Sequence, residues 1–124
     1  MKRLLYFLLL VLITALTACG NTNGTIINVS TEEANQLIDD KKVVVLDVRT
    51  AEEFDGGHIP NALLIPLQEL EGRLEELKEE ASYLVVCRSG NRSAQASEIL
   101  LNNGFSNVYN MTGGMNDWSY EIER

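Results

Sequence analysis

The sequence predicts an α/β domain built on a parallel β-sheet. Three observations carry the expectation. Short, continuous apolar runs rich in β-branched residues recur along the chain. Segments with apolar residues at helical spacing lie between them. The two kinds of segment alternate, as they do when parallel strands are joined by helices that cover both faces of the sheet.

Ile26–Val29 reads as the first strand. Ser30-Thr31-Glu32-Glu33 follows as a capping box, in which Ser30 caps the helix and Glu33 reaches back, and Ala34, Leu37 and Ile38 then fall on one helical face. Val43–Leu46 is a run of the kind buried on both faces of a sheet. Asp47–Leu63, with Gly56, Gly57 and Pro60, reads as a long loop. Leu67, Leu70, Leu74 and Leu77 mark a second helix whose opposite face is rich in glutamate and solvated. Tyr83–Val86 is a further buried strand, and a glycine-containing loop leads from it into a helix from about Ser93 to Asn103, with Ala96, Ile99 and Leu100 facing inward. Gly104 suits the left-handed position beyond that helix. Val108–Asn110 is the last strand, and Gly113-Gly114 makes a turn before Trp118, which is expected in the core or at a pocket rim.

The first residues do not fit this pattern. Lys2 and Arg3 precede Leu4–Leu16, an uncharged run shorter than the ~20 residues of a membrane-spanning helix. A basic head and a short apolar core make residues 1–18 a secretory signal peptide. Leu16-Thr17-Ala18-Cys19 resembles the lipobox of bacterial lipoproteins, which implies acylation of Cys19 and anchoring of the domain to the outer side of a bacterial cell membrane. An uncleaved signal anchor with Cys19 a chance residue is the alternative. Residues 19–25, with Asn21-Thr22-Asn23-Gly24, then form a polar tether to a domain over 26–124. The chain has ten basic and 18 acidic residues, net −8. The signal segment holds two of the basic residues and none of the acidic ones, so the domain keeps eight against 18. Such acidity excludes nucleic acid as a partner class. With Cys19 committed to lipid, Cys87 has no partner for an internal disulfide, and a leftover cysteine in an exported protein points to a reactive thiol or an intermolecular bond.

Cys87-Arg88-Ser89-Gly90-Asn91-Arg92-Ser93 lies between a strand and a helix. Ligands of open α/β sheets bind at the carboxyl ends of strands, and consecutive backbone N–H groups at a helix N-terminus hold anions. An ordinary thiol has a pKa near 8.5. Making the thiolate dominant at neutral pH requires a lowering worth roughly 2.7 kcal/mol, whereas one exposed helix terminus contributes about 0.3–1 kcal/mol. The loop amides and the charges of Arg88 and Arg92 are expected to supply the rest. The bland alternatives are a cysteine that merely fills the core at a strand end and arginines that are merely solvated.

This loop resembles the active-site loop of the rhodanese family. Three further segments carry the resemblance in the family's order: Asp47-Val48-Arg49, Glu53-Phe54 with Gly57-His58-Ile59-Pro60-Asn61-Ala62, and Gly113-Gly114 before Trp118. The resemblance implies a five-stranded parallel sheet flanked by helices. It implies that Cys87 takes the outer sulfur of a small anionic donor such as thiosulfate, carries it as a persulfide, and yields it to a thiol or to cyanide, with Arg88, Ser89, Gly90, Asn91, Arg92 and Ser93 binding the substrate and with no cofactor or metal. Asp47, Arg49, Glu53 and His58 are then structural neighbours that hold the long loop against the site, although a Cys–His pair is the alternative for His58. Four residues separate Cys87 from Arg92, one fewer than in the related phosphatases, and the loop has no aspartate to act as general acid. Phosphatase or arsenate chemistry is therefore the lesser implication. The rival from another class is a rhodanese-like module that binds a partner or senses oxidants through an exposed thiolate.

Overall fold

The computed structural model describes residues 24–124. The signal peptide expected over 1–18, the acylation expected at Cys19 and the tether up to Asn23 lie outside the described residues. Five strands run in the chain order β1 (Thr25–Val29), β2 (Val44–Asp47), β3 (Leu63–Leu64), β4 (Tyr83–Val86) and β5 (Asn107–Met111). They form one sheet in the spatial order β1-β5-β4-β2-β3, and every pairing is parallel. The helices are α1 (Thr31–Asp39), α2 (Ala51–Asp55), α3 (Leu67–Leu70) and α4 (Asn91–Asn102).

Strand residues alternate between two apolar layers, as the pleat requires. Leu46, Val85, Cys87 and Val108 join Leu70, Ala96 and Leu100 on the side of α3 and α4. Val45, Leu84, Val86 and Met111 join Ala34, Leu37 and Ile38 on the side of α1, where Trp118 also packs. Helices thus cover both faces, as the alternating pattern predicts. The Ser30–Glu33 capping box forms reciprocally, the Glu33 amide donating to Ser30 Oγ at 3.1 Å and the Ser30 amide to Glu33 Oε1 at 3.2 Å.

Two expectations are corrected. Asp47–Leu63 is not a continuous loop. Asp47 completes β2, the short helix α2 occupies its first half, and Leu63 opens β3 beside Leu46. Thr50 and Glu53 form a second capping box, which starts α2. Leu67–Leu77 is not one helix either. α3 gives way to a 3₁₀ segment over Glu71–Glu76, with Arg73 outside helical geometry at φ −129° and ψ 16°. Gly72 weakens helix there by about 1 kcal/mol relative to alanine, and Glu71 and Glu75 repel at i,i+4. Arg73 instead bridges Glu69 and Glu76. The leucines nonetheless face inward: Leu70 and Leu77 are buried, and Leu67 and Leu74 pack on the same cluster. Smaller shifts occur at the ends of α4, which begins at Asn91, and of β5, which spans Asn107–Met111.

Candidate active site

β4 lies at the centre of the sheet, and Cys87 is the residue immediately beyond its carboxyl end. The chain then turns sharply into α4. Gly90 makes the turn at φ +94°, and a Cβ there would run into the Thr112 carbonyl. Only glycine meets both conditions without strain. From across the sheet, the segment after β5 braces the loop. The Met115 amide donates to the Cys87 carbonyl at 2.8 Å and the Asn116 amide to the Arg88 carbonyl at 3.0 Å. Gly114 permits the approach, since a side chain on it would strike the Arg88 carbonyl.

The loop closes over the sulfur. Cys87 is 1% exposed, which corrects the expectation of an exposed thiolate. Its Sγ accepts from the Gly90 amide at 3.1 Å and lies 3.4 Å from Ser93 Oγ. Ser93 is itself buried. Burial pushes the thiol pKa up, but the Ser93 hydroxyl and the amides of Ser93, Gly90 and Ser89 outweigh it and hold the thiol below its ordinary value. Thiolate stabilisation is thus built from short-range hydrogen bonds to the sulfur.

The arginines are engaged elsewhere. Arg92 grips Glu53 with two hydrogen bonds, Nη1 to Oε1 at 2.7 Å and Nη2 to Oε2 at 2.9 Å, and Arg88 Nε donates to Oε2 at 3.1 Å. These guanidiniums hold the Glu53 carboxyl far below the usual carboxylate range, with Arg92 the leading cause and burial opposing it. The same contact with Glu53 raises the Arg92 pKa, followed by opposing desolvation, with the charges of Cys87 and Asp47 adding less. Arg88 is exposed, with 60% of its side chain in contact with solvent. Ser89 and Asn91 are exposed on the loop's outer side.

Asp47, Arg49 and His58 hold the neighbouring segment. Buried Arg49 pairs with buried Asp47, with Nη2 to Oδ2 at 2.7 Å, and also donates to the Gly57 carbonyl at 2.9 Å. His58 stacks on Phe54 with ring centroids 3.7 Å apart. Its Nδ1–H donates to the Phe54 carbonyl at 3.0 Å. His58 and Glu123 exchange backbone hydrogen bonds, and His58 Nε2 lies 3.4 Å from Glu123 Oε2. Each recorded contact of His58 thus ties down its own turn or the end of the chain.

An open depression of about 630 Å³ borders the loop, lined by Arg49, Glu52, Glu53, Arg88, Met115 and Asn116 among others. Cys87 is buried behind the loop and does not line it. No group of three His, Cys, Asp or Glu side chains among the described residues is placed to hold a metal ion. Two features go beyond the sequence reading. The first is that Glu53 bridges both loop arginines. The second is the Met115–Asn116 brace, whose only sequence signal is the Gly113-Gly114 pair.

The comparisons with known proteins agree with this architecture. The model of the rhodanese-like domain matches residues 30–121. A Bacillus subtilis (strain 168) protein named as a sulfur carrier, YrkF, is 39% identical over 101 residues, covering 81% of this chain but only 55% of its own length. A sulfurtransferase of Allochromatium vinosum is 35% identical over 86 residues, covering 69% of this chain and 80% of its own. The crystal structure of a rhodanese-like domain protein from Staphylococcus aureus superposes with a TM-score of 0.72 at 37% identity, over 78% of this chain and 96% of that one. With the match spanning four of the five strands and the loop that encloses Cys87, the chain belongs to the rhodanese-like domain family.

Proposed function

We propose that the protein is a sulfurtransferase that moves sulfane sulfur from thiosulfate or a related donor to a thiol, through a persulfide on Cys87. One observation carries the reading. The Cys87 sulfur accepts the Gly90 amide and neighbours the Ser93 hydroxyl at the carboxyl end of the central strand, with its pKa lowered. These groups favour the nucleophilic thiolate. In the first half-reaction the thiolate attacks the outer sulfur of thiosulfate. A Cys87 S–S bond forms, the donor S–S bond breaks, and sulfite leaves with the bonding electron pair. In the second, an acceptor thiolate attacks that outer sulfur, and Cys87 regains its electron pair as thiolate. No external oxidant or reductant is required, and the exchange is of the two-step covalent kind.

In this reading the amides of Ser89, Gly90 and Ser93 hold the negative sulfur, Arg88 flanks the entrance, and Asn91 and Arg92 open the helix behind it. The test is the intact mass of residues 24–124 after thiosulfate and again after cyanide. Gain of one sulfur atom, lost to cyanide and absent in Cys87→Ser, is expected. No gain from thiosulfate or from a singly charged sulfane donor, with the thiol still reactive toward a small alkylating agent after unfolding, would overturn the reading in favour of a binding module.

The Leu16–Cys19 motif supports a second, separable proposal, that Cys19 is acylated and tethers the domain outside a bacterial membrane. Incorporation of labelled fatty acid into the full chain, lost in Cys19→Ser, is the expected result.

A further inference from the structure

The depression beside the Cys87 loop carries charges of both signs. Arg49, Arg88, Glu52 and Glu53 line it, Asp47 pairs with Arg49 and Arg92 with Glu53, and Arg124 donates to the carbonyl of lining Gly56. Arg49 is committed to buried Asp47. Both oxygens of Glu53 are occupied, one by Arg92 and the other by Arg92 and Arg88 together. A bidentate, charge-assisted pair of this kind is among the stronger polar contacts a protein makes. An arriving dianion therefore meets Arg88 and Arg92 already shared with Glu53, and approaches the loop against that carboxylate. What remains for the substrate is the set of loop amides, which solvate one negatively charged sulfur.

We propose that Glu53 is a specificity-determining residue, whose hold on Arg88 and Arg92 makes the site favour singly charged sulfur donors over doubly charged ones. The donor class is one in which the outer sulfur is attached to a group without a second charge, such as an organic thiosulfonate. The chemistry is unchanged. The Cys87 thiolate attacks the outer sulfur, the donor S–S bond breaks, and a sulfinate leaves with the electron pair where thiosulfate would release sulfite. The inference rests on the sulfurtransferase reading and deepens it.

Methanethiosulfonate and thiosulfate test it, because they deliver the same sulfur and differ by one charge. The measured quantity is the rate constant for loading Cys87, followed by intact mass in single turnover at low salt. Removing one negative charge beside the loop favours a dianion by twice the free energy it gives a monoanion. Glu53→Gln is therefore expected to speed loading from thiosulfate about tenfold and from methanethiosulfonate about threefold, with 0.5 M salt erasing most of the difference. Arg88→Gln, a change at an exposed side chain, is expected to move the ratio of the two rate constants the other way. An unchanged ratio in folded Glu53→Gln overturns the inference. If Glu53→Gln does not fold, an unchanged ratio in Arg88→Gln does the same. A wild-type protein that loads from neither donor overturns the sulfurtransferase reading itself, whereas loading from both with a fixed ratio across the variants overturns only the role of Glu53.

Discussion

At the scale of single residues, the reactivity of Cys87 turns on hydrogen bonds more than on net charge. Because the thiol pKa is lowered chiefly by Ser93 against the opposing cost of burial, the loading rate should climb with pH through a midpoint below the ordinary thiol value. Ser93→Ala should move that rise to higher pH. It should also slow loading at neutral pH roughly tenfold, the worth of one hydrogen bond to a charged group. A pH profile of loading checks both. Glu53 makes a different prediction. Its folded-state pKa lies below its ordinary 4.5, so the stability it contributes is complete above that value and is lost as the pH falls through the depressed range. The difference in urea midpoint between the wild type and Glu53→Gln should be constant from neutral pH down to about 5 and shrink in stronger acid. The position of Cys87 at a strand end and its enclosure in Arg88–Ser93 were legible in the sequence, because strand and helix patterns flank them. The partners of Arg88 and Arg92 were not. Glu53 is 39 residues from Arg92, and no local pattern encodes a contact across that distance.

At the scale of elements, legibility followed periodicity. β4 and α1 emerged close to their boundaries because a β-branched run and a capping box are local signals. α2 has the same kind of signal in Thr50-Ala51-Glu52-Glu53, but its five residues are too few to show an apolar period. β3 has only two residues and exists because Leu46 and Asp47 offer it a partner. The leucine spacing from Leu67 to Leu77 identified the inward face correctly but not the backbone, since 3₁₀ turns can present leucines every three or four residues much as an α-helix does. Gly72 within that stretch has open space around its missing Cβ and an ordinary φ. Gly72→Ala should therefore stabilise the protein by about 0.4–1 kcal/mol, mainly by restricting the unfolded chain. A rise in urea midpoint with unchanged slope checks it.

At the scale of the whole molecule, the sheet order places the first strand beside the last, and the segment after β5 reaches back to two places at once. Met115 and Asn116 brace the Cys87 loop, and Glu123 pairs with His58 in the segment that carries Glu53. Deleting residues 121–124 removes two backbone hydrogen bonds to His58 and the acceptor of the Trp118 indole N–H. A loss of roughly 1–3 kcal/mol is expected, together with faster amide exchange at Gly57 and His58 and near-normal exchange in β4. Equal acceleration in β4 would contradict this division of the molecule.

The pairing of β1 with β5 also has a consequence for the order of events during synthesis. Asn28 and Asn110, hydrogen-bonded across those strands, are 82 residues apart, and β1 has no other neighbour in the sheet. A ribosome delivers Cys87 before it delivers the amides of Met115 and Asn116, and before the strand that gives β1 a place. Through that interval the Cys87 and Arg88 carbonyls lack the donors that brace their loop. The brace exists only once the last strand is home.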